Sequence, residues 1–447
     1  MPKKMKPCSQ CGKIYYCSSD CKKKDKSIHK EECKWLSATY RTPSFMARII
    51  ARLLIRRKRG DHSKYTAFNG RKFGDLMDHL KNFRKISSPD EMIPIMEALS
   101  DTANYVPSDY MFENDCILSY YGKIAINAFG IIGATDRYVG IGLYIGCSAF
   151  DHSCEPDLTR RFIGSKMILR SQNNAGKVNH KMTVSYTTPL DSTAVRRKKL
   201  LSGYFFHCDC KKCRDIEQDS YARSIKCLSC EDGLCFVNDN STRLHCVQCN
   251  TISPADLEEA QKWNTTLTEL ESIEDVRTLT YIYDVTAQLL SRRNTNLANL
   301  AFRLHNLKNY DAAESAKYAR FCEEPLLAMT THGMPDRTTT LEALFEASLW
   351  HELFSPNTIR LFCMWRQAVL ASNGPENVAK DNGDTGTLRM YSKINNMEYM
   401  FRRKYVRKMI AISIVFIRNR GRCVLIFICL FLAFLLHQTI RYFGYIN

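Results

Sequence analysis

The sequence predicts an α+β chain in which a small β-rich core, closed by metal, sits among helices, and three observations predict it. The first is the stretch from Gly140 to Cys213, where the isolated Cys154 is followed more than fifty residues later by the trio Cys208, Cys210 and Cys213. One distant thiolate plus a C-x-C-x2-C cluster supplies the four ligands of a tetrahedral zinc site that pins the two ends of the segment together. Between them, Lys166 to Arg170 and Met182 to Tyr186 alternate as strands do, with no helical period. The second observation is helical periodicity on both sides of this unit, over roughly 35–85 and 276–372. The third is cysteine usage: thirteen of the 20 cysteines fall in clusters with metal-ligand spacing.

At 447 residues the chain has room for two to four domains with real cores. Its 64 basic and 46 acidic residues give +18, but the excess is local. Residues 1–60 carry 17 basic and 4 acidic side chains and residues 402–447 carry 9 and none, which leaves a body of 38 and 42 that is close to neutral. A basic front module is able to meet nucleic acid or acidic partners; solvated lysines on a small zinc module read equally well. No N-terminal signal peptide is recognisable, and thiolates spaced for metal argue against a secreted disulfide framework. The expectation is a reducing compartment, cytoplasm and nucleus.

Within the central stretch three motifs follow in order: Asp-His-Ser-Cys-x-Pro at Asp151 to Pro156, Val-Ser-Tyr at Val184 to Tyr186, and Tyr-x-Phe-x-Cys-x-Cys-x2-Cys at Tyr204 to Cys213. Upstream stand Asn127-Ala128-Phe129 and the Gly-x-Gly-Leu-Tyr of Gly140 to Tyr144. In order and spacing these resemble the SET core and post-SET motifs of the SET and MYND domain (SMYD) family of protein-lysine methyltransferases. The resemblance implies a SET-domain protein-lysine N-methyltransferase that moves a methyl group from S-adenosylmethionine to a histone or non-histone protein, with zinc as a structural cofactor. It implies Tyr186 and Tyr204 as catalytic tyrosines. It also implies Asn127, Asp151, His152, Tyr186 and Phe206 at cofactor-binding positions, Phe206 lining the channel or the adenine side.

The chemistry suits those residue types. Methyl transfer from a sulfonium is an in-line displacement, so both partners must be aligned, and the attacking ammonium must first lose its proton. A dry aromatic channel lowers a lysine pKa by desolvating its charge, and tyrosine hydroxyls position the neutral amine. Taken singly, a tyrosine ending a strand is more often packed core and His152 more often a satisfied core histidine. Their joint spacing with Cys154 and the cysteine trio reverses that reading.

The chain opens with Cys8-x2-Cys11, Cys17-x3-Cys21 and His29-x3-Cys33. Six ligands do not close two tetrahedra. The pattern resembles a MYND finger lacking its first Cys-x2-Cys pair, and the family's interleaved sites imply that Cys8, Cys11, His29 and Cys33 share one zinc. Cys17 and Cys21 are then two ligands short of a second. The family also has an upstream strand with a Gly-rich loop on the cofactor. The expectation is an N-terminally truncated sequence that starts at an internal methionine, the alternative being true loss of part of the cofactor site; both leave the pocket incomplete. Two departures bear on cofactor binding as well: Asp151 stands where the family has Asn and donates no hydrogen bond when ionised, and His180 and Lys181 replace an acidic pair.

The organisation expected is a partial MYND finger over 1–33, a helical insert over 34–110, the SET core over 111–190, the post-SET cluster over 191–215, a zinc ribbon over 225–252, a TPR-like helical domain over 265–375 and a basic tail with an apolar segment over 385–447. In the insert, Phe45, Ile49, Ile50, Leu53 and Leu54 recur at helical spacing, with Arg48, Arg52, Arg56 and Arg57 largely on another face. A second helical stretch is expected around Phe73, Leu76, Met77 and Leu80, and Ser88-Pro89-Asp90 opens a third. The ribbon is Cys227-x2-Cys230 and Cys246-x2-Cys249, with Gly233 and a β-prone Leu234 to Val237 between.

Asn294 to Leu304 with Asp311 to Phe321, then Thr340 to Leu353 with Asn357 to Leu370, read as two helix-turn-helix pairs in series. Thr331-His332-Gly333 resembles a Thr-His-Gly of the family, whose helical array walls the substrate cleft. Asp381 to Thr387 reads as a linker. Cys423 to Leu436 is uninterrupted apolar after a basic flank, shorter than the ~20 residues that span a bilayer, and fits a membrane tail anchor with the basic side cytosolic or, alternatively, an aberrant exon or read-through. The partners implied are a protein or histone lysine substrate and proline-rich or other peptides on the finger, with a monomeric chain. The competing class is a catalytically impaired, zinc-stabilised interaction adaptor.

Overall fold

The computed structural model describes residues 5–401 except 62–63, 87, 112–115, 133–137, 172–180, 189, 231–232, 237–243, 254–256, 271–272, 308–311, 330–336, 339–340, 343, 347–355 and 374–387. His180, Thr331-His332-Gly333, Asp381 to Thr387 and the whole of 402–447, with its apolar segment, lie outside the described residues. Within them the architecture is mixed, mostly helical, with sheets of two strands each.

The front module pairs β1 (Lys6–Pro7) with β2 (Tyr15–Tyr16) and continues into α1 (Ser19–Ala38), whose N-cap Ser18 accepts from the Cys21 amide. Helix α2 (Phe45–Lys58) buries Ala47, Ile50, Ala51, Leu54 and Ile55, a stripe at i, i+3, i+4, i+7 and i+8, against Trp35, Leu36, Tyr105 and Ile124. The stripe is turned from the expected one: Phe45 is exposed, and Ile49 and Leu53 are only partly buried. Arg48 and Arg52 reach back from α2 to α1.

The expected helix around Phe73 to Leu80 is instead a single 3-10 turn over Phe73–Asp75 and a short α3 (Leu80–Phe83). Main-chain carbonyls that a helix would use are taken from outside, Leu76 by Lys123 Nζ at 2.6 Å and Met77 by Asn127 Nδ2 at 2.9 Å. The chain therefore lies extended at Leu76 and packs against α5 (Cys116–Asn127). Before α5 runs α4 (Pro89–Tyr105), opened by proline in its first turn as expected.

Two hairpins follow: β3 (Ala128–Ile132) with β4 (Tyr138–Leu143), and β5 (Leu158–Ile163) with β6 (Lys166–Ser171). Gly164 in the second turn has φ +58°, a left-handed conformation that glycine adopts without a Cβ clash. Met182 to Tyr186 does not form the expected strand ladder. It threads between two segments: the Val184 amide donates to the Asp151 carbonyl, the Ser153 amide to Val184, and the Leu158 amide to Thr183. Val184, in a cluster with Phe150 and Leu158, is the buried pin of this crossing.

Helices α6 (Thr193–Tyr204), α7 (Lys211–Arg214) and α8 (Ile216–Ala222) carry the chain through the cysteine trio. The short ladders β7 (Ile225–Lys226) with β8 (Leu234–Cys235) and β9 (Leu244–His245) with β10 (Ile252–Ser253) frame the two cysteine knuckles of 227–230 and 246–249. Then come α9 (Leu257–Thr268), α10 (Val276–Leu289), α11 (Thr295–Leu307), α12 (Ala312–Met329) and α13 (Pro356–Asn373), with 388–401 also helical. The knuckle residues Ile225, Cys235 and Cys246 share one core with Leu279, Tyr283, Leu297 and Tyr318, so this metal module is built into the helical layer. Leu341, Leu344 and Phe345 pack with Phe362 and Trp365. Leu326 and Met329 of α12 meet Leu190 and Ala222, and the Lys212 ammonium donates to the Met329 carbonyl, tying the helical layer to the cysteine trio. No described helix is long and apolar enough to cross a membrane.

Candidate active site and metal centres

Three tetrads hold their ligand atoms within 4.8 Å of one another: Cys8, Cys11, His29 and Cys33; Cys154, Cys208, Cys210 and Cys213; Cys227, Cys230, Cys246 and Cys249. Zinc at about 2.3 Å from each thiolate sets sulfur pairs about 3.8 Å apart. The observed pairs match that edge: Cys8–Cys33 3.7 Å, Cys154–Cys208 3.9 Å, Cys154–Cys213 3.5 Å, and Cys227–Cys249 and Cys230–Cys246 3.7 Å each. None of these cysteines is in a disulfide. A soft donor set of four sulfurs, or of three sulfurs and one imidazole nitrogen, closed as a tetrahedron fits zinc, which here ties distant chain segments together. Cys17 and Cys21 are exposed and 3.3 Å apart, and no third ligand joins them among the described residues.

Each tetrad has its own surroundings. In the finger, His29 Nε2 lies 3.8 Å from the Cys11 sulfur while Nδ1 faces the buried carboxylate of Glu32 at 3.4 Å. In the knuckle tetrad the sulfurs take main-chain amides, Ser229 N to Cys227 at 3.3 Å and Gln248 N to Cys246 at 3.4 Å. A Cβ on Gly233 would fall 2.4 Å from the Cys230 sulfur and 2.5 Å from that of Cys246, so only glycine lets the backbone pass. At the central tetrad Arg197 donates to the Cys208 and Cys213 carbonyls, both at 3.1 Å, and the buried Arg196 donates to the Cys213 sulfur.

Against the central tetrad stands an aromatic cluster. The rings of Tyr186 and Tyr204 lie 4.7 Å apart, His152 is 5.2 Å from Tyr186, and Phe206 is 5.9 Å from His152. Two backbone devices assemble it. The crossing at Val184 sets His152 beside Tyr186, and α6 ends on Tyr204 with Phe205 in the left-handed region at φ +62°, the next residue being Phe206. A non-glycine residue there costs roughly 1 kcal/mol, and the Phe205 ring packs on Phe83 at 5.0 Å and His79 at 5.6 Å.

His152 connects cluster and metal. The Tyr186 amide donates to Nδ1 at 3.0 Å, which leaves the proton on Nε2, 3.2 Å from the Cys154 sulfur. Burial, and then the Arg196 charge, push the imidazole down to about 4, so it is the neutral tautomer that bridges. Burial, and then the Asp151 charge, push Tyr186 up to about 12; burial also raises Tyr204. Both phenols therefore stay protonated. The Tyr186 hydroxyl donates to the Phe150 carbonyl at 2.7 Å, whereas that of Tyr204 has no hydrogen-bond partner among the described residues.

Asp151 and Asn127 are the remaining expected positions. Asp151 is exposed, and its carbonyl accepts from the Val184 amide. Asn127 is buried at the end of α5, its amide nitrogen donating to Met77 and Lys123 carbonyls. Glu32, Arg196 and Arg197 are metal-site residues that the motifs did not single out. Arg196 and Arg197 read in the sequence only as part of a basic run ending at Lys199, and nothing local marks which of these is buried.

The MYND finger family matches residues 2–33. The chain is 30% identical over 225 residues to the histone-lysine N-methyltransferase SMYD3 of Homo sapiens, covering 48% of this chain and 50% of that protein. It is 28% identical over 241 residues to the histone-lysine N-methyltransferase ASHR1 of Arabidopsis thaliana, covering 50% and 48%. To the N-lysine methyltransferase SMYD2 of Homo sapiens it is 25% identical over 228 residues, covering 50% and 51%. The chain thus spans about half the length of the curated relatives it matches. With a MYND finger matched at the front and the three tetrads in place, the chain is similar over about half its length to lysine methyltransferases of the SET and MYND domain type.

Proposed function

We propose that this chain acts as a SET-type protein-lysine N-methyltransferase on a histone or other protein substrate, in the cytoplasm and nucleus, with peptide partners meeting the finger. The observation that carries the reading is the paired, half-buried Tyr186 and Tyr204 beside His152 and the central tetrad. S-adenosylmethionine, when bound, supplies the methyl group on a sulfonium. The chain's part is to hold a lysine amine in line with it and to favour the neutral amine. Aromatic walls at Tyr186, Tyr204 and Phe206 desolvate the ammonium and lower its pKa. The Tyr204 hydroxyl, still protonated and uncommitted, is the group that orients the amine lone pair. Tyr186 acts differently on this reading, fixing the Phe150 carbonyl that borders the site. His152 and Phe206 flank the cofactor side, and Asp151 lies at its edge.

A second reading, an interaction adaptor with impaired catalysis, is favoured by the placement of Asn127, whose amide nitrogen is taken up by main-chain carbonyls, and by the acidic Asp151 in place of an amide. Incubation with methyl-labelled S-adenosylmethionine and a panel of histones and cell-extract proteins separates the two. Label on protein lysine that disappears in Tyr204→Phe supports the transferase; no label above background from a zinc-loaded, folded chain favours the adaptor.

A further inference from the structure

We propose that Arg196 is the internal counter-cation of the Cys154, Cys208, Cys210 and Cys213 zinc site, and that its charge sets how firmly this site holds its metal. Four thiolates around one divalent ion leave two net negative charges. Three of the four sulfur ligands here are buried, where uncompensated charge is expensive. Arg196 projects from the first turn of α6 and is 1% exposed. Its guanidinium donates to the Asp191 carbonyl at 2.5 Å, to the Thr193 hydroxyl at 2.9 Å and to the Cys213 sulfur at 3.6 Å.

Only the last of these partners is able to carry a charge. The Asp191 carboxylate, the nearest acidic group in sequence, is turned to the Asn299 amide at 3.2 Å and the Lys199 ammonium at 3.2 Å. A guanidinium does not shed its proton inside a protein, so a buried one needs an anion. The Cys213 sulfur, 3.6 Å from the guanidinium, is the anion within its reach, and the four thiolates of this site are stable as anions together only around a cation. Arg196 and the metal thus each make the other's burial tolerable.

The other two tetrads set the comparison. The finger has a neutral imidazole in place of one thiolate and hence one charge less. The knuckle tetrad, with Cys230 and Cys249 only partly buried, draws on main-chain amides, and among the described residues no cationic side chain donates to its sulfurs. The most enclosed all-thiolate site is the one that receives a full positive charge.

The test uses the full chain loaded with zinc, Arg196→Met to remove the charge and Arg196→Lys to retain it, with zinc counted per chain during challenge by EDTA. A parallel sample exchanged into cadmium-113 reports each site by its own resonance. Arg196→Met should release one zinc ion roughly tenfold to a hundredfold faster than the parent, the range that partners of metal ligands command. Arg196→Lys should hold it near the parent rate, and a single all-sulfur cadmium resonance should move. Release at the parent rate in Arg196→Met overturns the proposal. So does equally fast release in Arg196→Lys, since shape rather than charge would then be what matters. If Arg196→Met does not fold, Arg196→Gln, which keeps an N–H donor without the charge, takes its place in the same comparison.

Discussion

His29 turns its Nδ1 toward the carboxylate of Glu32 at 3.4 Å, one helical turn further along α1, and Glu32 is fully buried between Arg48 at 2.9 Å and Arg52 at 2.7 Å. The imidazole is thereby fixed with Nε2 directed at the finger's sulfurs, the arrangement in which a carboxylate orients a zinc-bound histidine. Burial alone would raise the Glu32 carboxyl, but the two guanidinium groups outweigh it and hold the group below its ordinary value. The helix behind the finger is therefore part of the metal site, reaching it through Arg48 and Arg52.

Glu32→Gln should cost the finger roughly tenfold to a hundredfold in zinc affinity. It should also lower stability by about 1–3 kcal/mol, because Arg48 and Arg52 lose a buried carboxylate while Arg52 keeps Asp25 at 2.9 Å. Zinc retention under chelator and thermal unfolding check both effects. Unaltered retention would mean that His29 is oriented by α1 alone.

Gly233→Ala should remove the knuckle zinc specifically. The added methyl meets the Cys230 and Cys246 sulfurs at 2.4 and 2.5 Å and the Cys227 Cβ at 2.8 Å, and none of these is the far end of a flexible side chain. The parent should bind three zinc ions and the variant two. Since Ile225 and Cys246 belong to the core that also holds Leu279 and Tyr283, the variant should melt earlier as well. Three zinc ions retained by Gly233→Ala would show that the loop yields.

The metal ligands were legible in the sequence because thiolate spacing is a local property: Cys227-x2-Cys230 forms one knuckle wherever it is found. Tyr186 and Tyr204 were legible only through the order of motifs around them. What surrounds the metals was not. Arg196 and Lys198 are both cations of one helix, and only packing decides that one is enclosed beside Cys213 while the other is not. The stretch from Phe73 to Leu80 has helical spacing, yet Lys123 and Asn127, nearly fifty residues away, claim its carbonyls, and no window of a dozen residues contains that competition. Likewise Met182 to Tyr186 has strand composition, but its amides and carbonyls serve Asp151, Ser153 and Leu158 in turn, a crossing set by the path of the chain.

Asp151→Asn should tighten binding of S-adenosylmethionine. The carboxylate is exposed and its charge reaches Tyr186, so it also reaches a carboxylate-bearing ligand at the site, though solvent screens it. An exposed charge is worth about 1 kcal/mol at most, a change in Kd of roughly fivefold. Calorimetric titration at low and at high salt is the check, with the difference shrinking as salt rises. Equal or weaker binding by the variant would place Asp151 on the side of the cofactor's ammonium.

The two tyrosines should separate cleanly. Tyr204→Phe removes a hydroxyl that has no partner among the described residues, so melting temperature should change little; if that hydroxyl orients the amine, turnover should fall roughly a hundredfold or more, equivalent to about 3 kcal/mol of transition-state stabilisation. Tyr186→Phe removes the donor to the Phe150 carbonyl, and a buried carbonyl left without its donor costs about 1–3 kcal/mol. That variant should melt earlier and lose activity in proportion to how far Phe150 and the adjoining Asp151 to Cys154 segment shift. Because burial holds both phenols above their ordinary value, neither should ionise below about pH 10, and the parent and Tyr186→Phe should keep the same alkaline limb in their pH–rate profiles. Full activity in Tyr204→Phe together with a strong loss in a stable Tyr186→Phe would reverse the assignment and make Tyr186 the group that meets the amine.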